Sequence, residues 1–92
     1  MKITLKTIGV LEEVIKTREF YFMEDKIRLG SLFRYLADCY GPVVTEHLLP
    51  EGKFSSHYAV LVNGTNSKQI NDMETELKDG DRITILTMVT GG

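Results

Sequence analysis

Ile3 and Leu5 alternate with Lys2, Thr4 and Lys6 at the start of the chain, the period of two expected of a strand with one buried face. A second strand is predicted from Arg18 to Glu24. There Phe20 and Phe22 share one side and Tyr21 and Met23 the other, and aromatic residues suit a pleated surface. Between the two, Gly9 to Thr17 reads most economically as a hairpin, with a helical turn over Val10 to Lys16 as the alternative. The period then changes. Leu29, Leu32, Phe33, Leu36, Ala37 and Tyr40 recur at helical spacing, with Arg34 and Asp38 opposite them. One amphipathic helix is expected, capped at Gly30 or Ser31 and stopped by Gly41-Pro42.

Pro50, Gly52 and a serine pair predict an irregular, mobile connection from Val43 to Ser56, with a short helical piece over Val44 to Leu49. His57 to Val62 alternates Tyr58, Val60 and Val62 against Ala59 and Leu61, a third strand ended by the tight-turn signal Asn63-Gly64. Lys68 to Ile70 is a candidate short strand and Met73 to Leu77 a candidate helical turn, before Lys78-Asp79-Gly80-Asp81 turns the chain. Arg82 to Met88 is the last strand, with Ile83 and Ile85 on one face and Leu86 and Met88 on the other. This order of elements predicts an α+β domain, a mixed sheet of four to five strands with one main helix packed on one face. If the first and last strands pair side by side in mid-sheet, the topology is the β-grasp of ubiquitin-like proteins. Pattern alone leaves that one arrangement among several.

The 92 residues, 42% hydrophobic and 26% charged, suit a single domain spanning 1–92 with a modest core. A formal net charge of -2 speaks against the phosphate backbone as a partner, because nucleic-acid domains usually carry a basic excess. The alternating N-terminus is unlike the unbroken apolar run of a signal peptide, and no stretch approaches membrane-spanning length. A soluble, cytoplasmic protein is expected, with no direct nucleic-acid or membrane partner. The single Cys39 supports neither an internal disulfide nor an iron-sulfur cluster. Standing i+3 from Leu36 and i+7 from Leu32, it is predicted to be a buried small hydrophobe. His47 and His57 are isolated, so no metal site is expected. Neither a phosphate loop nor a nucleophile elbow is present.

The chemistry gathers at the end, Val89-Thr90-Gly91-Gly92. With glycine near 7% of residues, two terminal glycines arise by chance roughly once in 200 chains. Glycine lets a backbone approach a catalytic wall closely, and Thr90 to Gly92 extended reaches about 10 Å. The expected reactive group is the Gly92 carboxylate, with Gly91 completing the thin tip of a flexible tail over 89–92. Leu86 and Met88, apolar on a face that one helix cannot cover, and Val89 and Thr90 after them, are candidate docking residues.

The segment from Leu77 through Asp79-Gly80-Asp81 and Ile83-Thr84-Ile85-Leu86 to Gly91-Gly92 resembles the close of the MoaD/ThiS family of sulfur carriers: an acidic-Gly-acidic turn, an apolar strand and a terminal Gly-Gly. Leu61-Val62-Asn63-Gly64 is similar to the family's strand and Asn-containing turn. The resemblance follows the whole chain in order and is specific over its last third. The length between helix and third strand makes it most similar to the molybdopterin synthase small subunit. Leu86-Thr87-Met88 stands where such carriers have an aromatic residue and a Pro-Pro pair, and the turn after Asn63 is longer, running through Thr65, Asn66 and Ser67.

The resemblance implies a defined chemistry. A ubiquitin-activating-type adenylyltransferase, MoeB/ThiF-like, would use Mg-ATP to adenylate Gly92, while the chain itself binds no cofactor. A sulfur donor would convert the adenylate to a thiocarboxylate, delivered to a pterin precursor inside a molybdopterin synthase large subunit, or to a thiazole, an amino-acid precursor or a tRNA base. The chain would supply no catalytic acid or base of its own, acting as carrier subunit or co-substrate. Two other readings compete: a ubiquitin-like modifier joined to lysines through Gly92, and a β-grasp binding module that never uses its tail.

Overall fold

The computed structural model describes residues 1–9, 15, 17–52, 55, 57–67 and 70–87. Strand β1 (Lys2–Ile8) pairs antiparallel with β2 (Arg18–Tyr21), Lys2 facing Tyr21 and Leu5 facing Arg18. After β3 (Ile27–Arg28) come helix α1 (Leu29–Tyr40) and helix α2 (Pro42–Leu48). Strands β4 (Tyr58–Val62), β5 (Thr65–Asn66), β6 (Glu76–Leu77) and β7 (Arg82–Thr87) complete the chain. Five of these strands form one mixed sheet in the order β2-β1-β7-β4-β5, and β3 pairs with β6 beside it. At the centre β1 and β7 run parallel, from Thr4 beside Arg82 to Ile8 beside Leu86. Parallel neighbours need a long crossover, and nearly the whole chain between them supplies it, including α1. This is the ubiquitin-like β-grasp.

The period-two and helical patterns meet in one core. Ile3 and Leu5 of β1, Phe20 of β2, Val60 and Val62 of β4, and Ile83 and Ile85 of β7 are buried against Leu29, Leu32, Phe33 and Leu36 of α1. Burying each such side chain contributes about 1.5–3 kcal/mol, so the sheet-helix contact dominates the stability of so small a domain. Phe22 and Tyr35 extend the core to the surface, their rings 5.2 Å apart and nearly perpendicular.

The two ends of α1 differ: its start departs from the sequence expectation and its stop agrees with it. Neither Gly30 nor Ser31 caps the helix: Arg28 holds the N-cap position in extended geometry, and its side chain makes no capping bond. The free Leu29 N–H donates instead to the Thr75 carbonyl at 2.8 Å, a tertiary partner in place of a local one. Gly30 is buried within the helix, where a Cβ would stand 3.2 Å from the Met73 carbonyl oxygen. At the other end Gly41, at φ 83°, donates to Ala37 and stops the helix as expected, and Pro42 opens α2.

Cys39 is exposed, contrary to its predicted burial. It stands one turn after Tyr35, itself 42% exposed, at the margin of the apolar stripe. The Tyr35 phenol is raised above its ordinary value, first by its hydrogen bond with Cys39. The predicted helical turn over Met73 to Leu77 divides: Asp72–Glu74 is a 3-10 turn, and Glu76–Leu77 is strand β6 paired with β3. Thr65 and Asn66, read as turn, form β5 against Val62 and Leu61, because Asn63 and Gly64, both at positive φ, close the hairpin in two residues. Helix α2 begins at Pro42, two residues before the helical piece foreseen there. Of the predicted strand at Lys68 to Ile70, positions 68 and 69 lie outside the described residues, and Ile70 lies in a turn. Most of the hairpin tip after Gly9 lies outside them too.

Candidate functional site

Strand β7 is central to the sheet and is the last element among the described residues, five positions before Gly92. Its alternation divides it cleanly: Ile83 and Ile85 point into the core, while Arg82, Thr84 and Leu86 share the face that α1 leaves uncovered. Register shows what surrounds Leu86. It stands beside Ile8 of β1 on one side and Ala59 of β4 on the other, so an apolar row crosses three strands. Ile8 is 43% exposed and Leu86 half-buried. Of the expected docking residues, Leu86 thus lies on the open face as predicted. Met88, Val89, Thr90, Gly91 and Gly92 lie outside the described residues.

Next to that row the open face is basic. A shallow cavity of about 490 Å³ is lined by Lys2, Thr4 and Lys6 of β1, Glu19 of β2, and Arg82 and Thr84 of β7. Lys6 lies opposite Thr84 and Thr4 opposite Arg82, which places Arg82 diagonally between the two lysines. Glu19 pairs with Lys2 at 3.9 Å and accepts from the Tyr21 hydroxyl at 2.9 Å. A chain of net charge -2 therefore gathers three cations and one anion on the face carrying Leu86. The sequence pattern had already placed Lys2, Thr4 and Lys6 on one side. What it lacked was the β1–β7 register that brings Ile8 to Leu86, Lys6 to Thr84 and Thr4 to Arg82.

The acidic-Gly-acidic turn holds this strand in place. Asp81 is buried, and its two carboxylate oxygens accept from Asn63 Nδ2 at 3.0 Å and from the Lys78 N–H at 2.9 Å. The Asn63 side-chain oxygen in turn accepts from the Arg82 N–H at 2.9 Å. Asp79 accepts from the Lys2 N–H at 2.7 Å, and the Gly80 N–H donates to the Lys2 carbonyl at 2.8 Å. Gly80 stands at φ 87° in this turn. Three segments, the starts of β1 and β7 and the β4–β5 turn, are thus tied at one end of the sheet. The register that aligns the open face follows from them.

A profile of the ThiS family matches residues 8–92. The chain belongs to the ThiS family. Small archaeal modifier protein 3 of Haloferax volcanii is 28% identical over 93 aligned positions, covering all of both chains. A protein of Archaeoglobus fulgidus named as a sulfur carrier is 29% identical over 68 residues, 74% of this chain and 77% of the relative. A chain of the Amycolatopsis orientalis BexX/CysO complex superposes with a TM-score of 0.79 at 24% identity, covering 98% of this chain and 99% of its own, a likeness of fold. This ThiS-family chain is therefore a ubiquitin-like protein of the sulfur-carrier and modifier class. No helix among its described residues is long and apolar enough to cross a membrane.

Proposed function

We propose that the chain is a sulfur carrier, a single domain over 1–92 whose Gly92 carboxylate is the reacting group. A ubiquitin-activating-type adenylyltransferase binds it together with Mg-ATP. The Gly92 carboxylate oxygen attacks the α-phosphorus, pyrophosphate leaves, and an acyl-adenylate forms. Hydrosulfide-level sulfur from a donor then attacks the acyl carbon, the bond to AMP breaks with AMP as leaving group, and a thiocarboxylate remains. The observation that carries this reading is membership of the ThiS family through to Gly92, together with a central strand that ends five residues before it. Those five residues, extended, would reach at most ~18 Å, enough for a carboxylate to enter a partner's active site from a docked body. The length of chain between α1 and β4, similar to that of the molybdopterin synthase small subunit, favours a pterin precursor as acceptor, in the molybdenum or tungsten cofactor pathway, with a molybdopterin synthase large subunit receiving the tail.

In this reading the activating partner docks on the open face. Leu86 is the centre of the contact, flanked by Ile8 and Ala59, with Met88, Val89 and Thr90 continuing it towards the active site. Lys2, Lys6 and Arg82 steer an acidic surface onto it, which raises the association rate and makes it salt-dependent. Leu86→Asp is expected to weaken the complex about tenfold or more, as loss of a central apolar anchor does. Calorimetric titration against the adenylyltransferase measures this, and circular dichroism checks that the fold persists. An unchanged affinity would remove Leu86 from the interface.

A second reading has its own support in the full-length likeness to a small archaeal modifier protein. There the same Gly92 adenylate ends in an isopeptide bond to a lysine. Intact-mass analysis of protein purified from its own host separates the two. The carrier reading expects a mass gain matching exchange of one oxygen for sulfur at Gly92. Lysine conjugates bearing a Gly-Gly remnant, with no thiocarboxylate, support the modifier.

A further inference from the structure

Where β7 ends, its last residue leans on β1 through a contact that only glycine permits. Gly9, immediately after β1, stands at φ 106°, in the region that side chains disfavour. A Cβ there would overlap Thr87 Oγ1 and lie 2.7 Å from Thr87 Cβ. The Thr87 side chain thus occupies the space that a side chain at position 9 would need. Its hydroxyl also donates to the Ile8 carbonyl at 3.4 Å, a long bond. On its other side Thr87 faces Tyr58 of β4. One ladder step earlier, Leu86 is still held between Ile8 and Ala59.

We infer that Gly9 and Thr87 are positioning residues: the notch at Gly9 seats Thr87 and fixes the direction in which the tail leaves the sheet. The inference rests on the carrier reading for its consequence, though not for the contact itself. Five residues, if extended, would form a lever of at most ~18 Å, so a ~20° change of direction at its root would displace the carboxylate by about 6 Å. Attack on a phosphorus requires far closer placement, and a misplacement of about 1 Å can cost a hundredfold in rate. Among the described residues, the Gly9–Thr87 pair therefore couples the docked body to the reacting group.

Two measurements test the pair. In the isolated protein, Gly9→Ala is expected to lower the 15N order parameters of the Leu86 and Thr87 amides while those of β4 stay unchanged; unaltered values at 86 and 87 overturn the seating. With the adenylyltransferase and ATP, Gly9→Ala is expected to cut adenylation at saturating carrier about tenfold, less than the hundredfold of a rigid misplacement because the tail can re-sample its direction, with dissociation constants within twofold. Turnover equal to the parent chain overturns the inference, and so does a joint loss of affinity and turnover, which would make the pair a docking element. If Gly9→Ala does not fold, Thr87→Gly removes the contact without overlap and carries both tests, and Thr87→Ser is expected to retain the parent rate. Failure of the carrier reading shows separately, as a parent chain that is never adenylated, and the order parameters then decide the seating alone.

Discussion

Deleting Gly92 is expected to abolish sulfur loading while leaving the urea-unfolding midpoint of the domain unchanged. The two halves of this expectation have different physical grounds. Among the described residues every buried member of the sheet-helix core lies between Ile3 and Ile85, so the unfolding midpoint is expected to rest on that core and not on position 92. Loading suffers for a geometric reason. The new terminal carboxylate, on Gly91, falls short of its former position by one residue, ~3.3–3.6 Å in an extended chain. That shortfall exceeds the tolerance of an in-line attack. Incubation with the adenylyltransferase, ATP and a sulfur donor, read by intact mass, measures the loss. Continued loading of the shortened chain overturns the assignment of Gly92 as the required reacting group, in the carrier and the modifier reading alike, because both begin at the same carboxylate. A β-grasp binding module that works through its sheet alone would keep its function.

The parts of this chain legible in sequence were those governed by local periodicity. Ile3 and Leu5, Ile83 and Ile85, and the Leu29-to-Tyr40 stripe declared their buried faces through periods that strand and helix geometry impose directly. Asn63-Gly64 and Gly41-Pro42 declared their turn and stop because few other residues adopt those backbone angles. Features set by tertiary contact were hidden. Leu29 needs no side-chain cap because the Thr75 carbonyl takes its N–H, a partner 46 positions away in the chain. Cys39 shares the helical stripe by spacing and still ends exposed beside Tyr35, since spacing gives an azimuth on the helix and not where the sheet stops. The candidate site shows the same division. Leu86 was legible because strand alternation puts it opposite the core. Its neighbours Ile8 and Ala59, the three cations beside them and the seat at Gly9 depend on a parallel register between segments at the two ends of the chain, and no local pattern encodes that pairing.

The largest effect on stability is expected at Phe33, the largest of the fully buried side chains. It projects from α1 into the core formed with the sheet, so Phe33→Ala removes a ring that solvent does not reach. Truncating a buried Phe to Ala costs about 3–5 kcal/mol, the lost transfer energy plus the cavity left behind. A small domain holds only about 5–15 kcal/mol in total, and α1 contributes Leu29, Leu32, Phe33 and Leu36 to its buried core. The variant should therefore populate unfolded chain measurably at physiological temperature. Met23→Ala provides the contrast, because Met23 is fully exposed and surface changes of that kind stay within about 0.5 kcal/mol. Urea titrations followed by far-ultraviolet circular dichroism give both values from one linear extrapolation. A Phe33→Ala cost below about 1 kcal/mol, less than the lower bound for truncating a buried Phe, would mean that α1 does not seal the sheet as described. The register of β7, and with it the seat of Thr87, would then lack the support that places the tail.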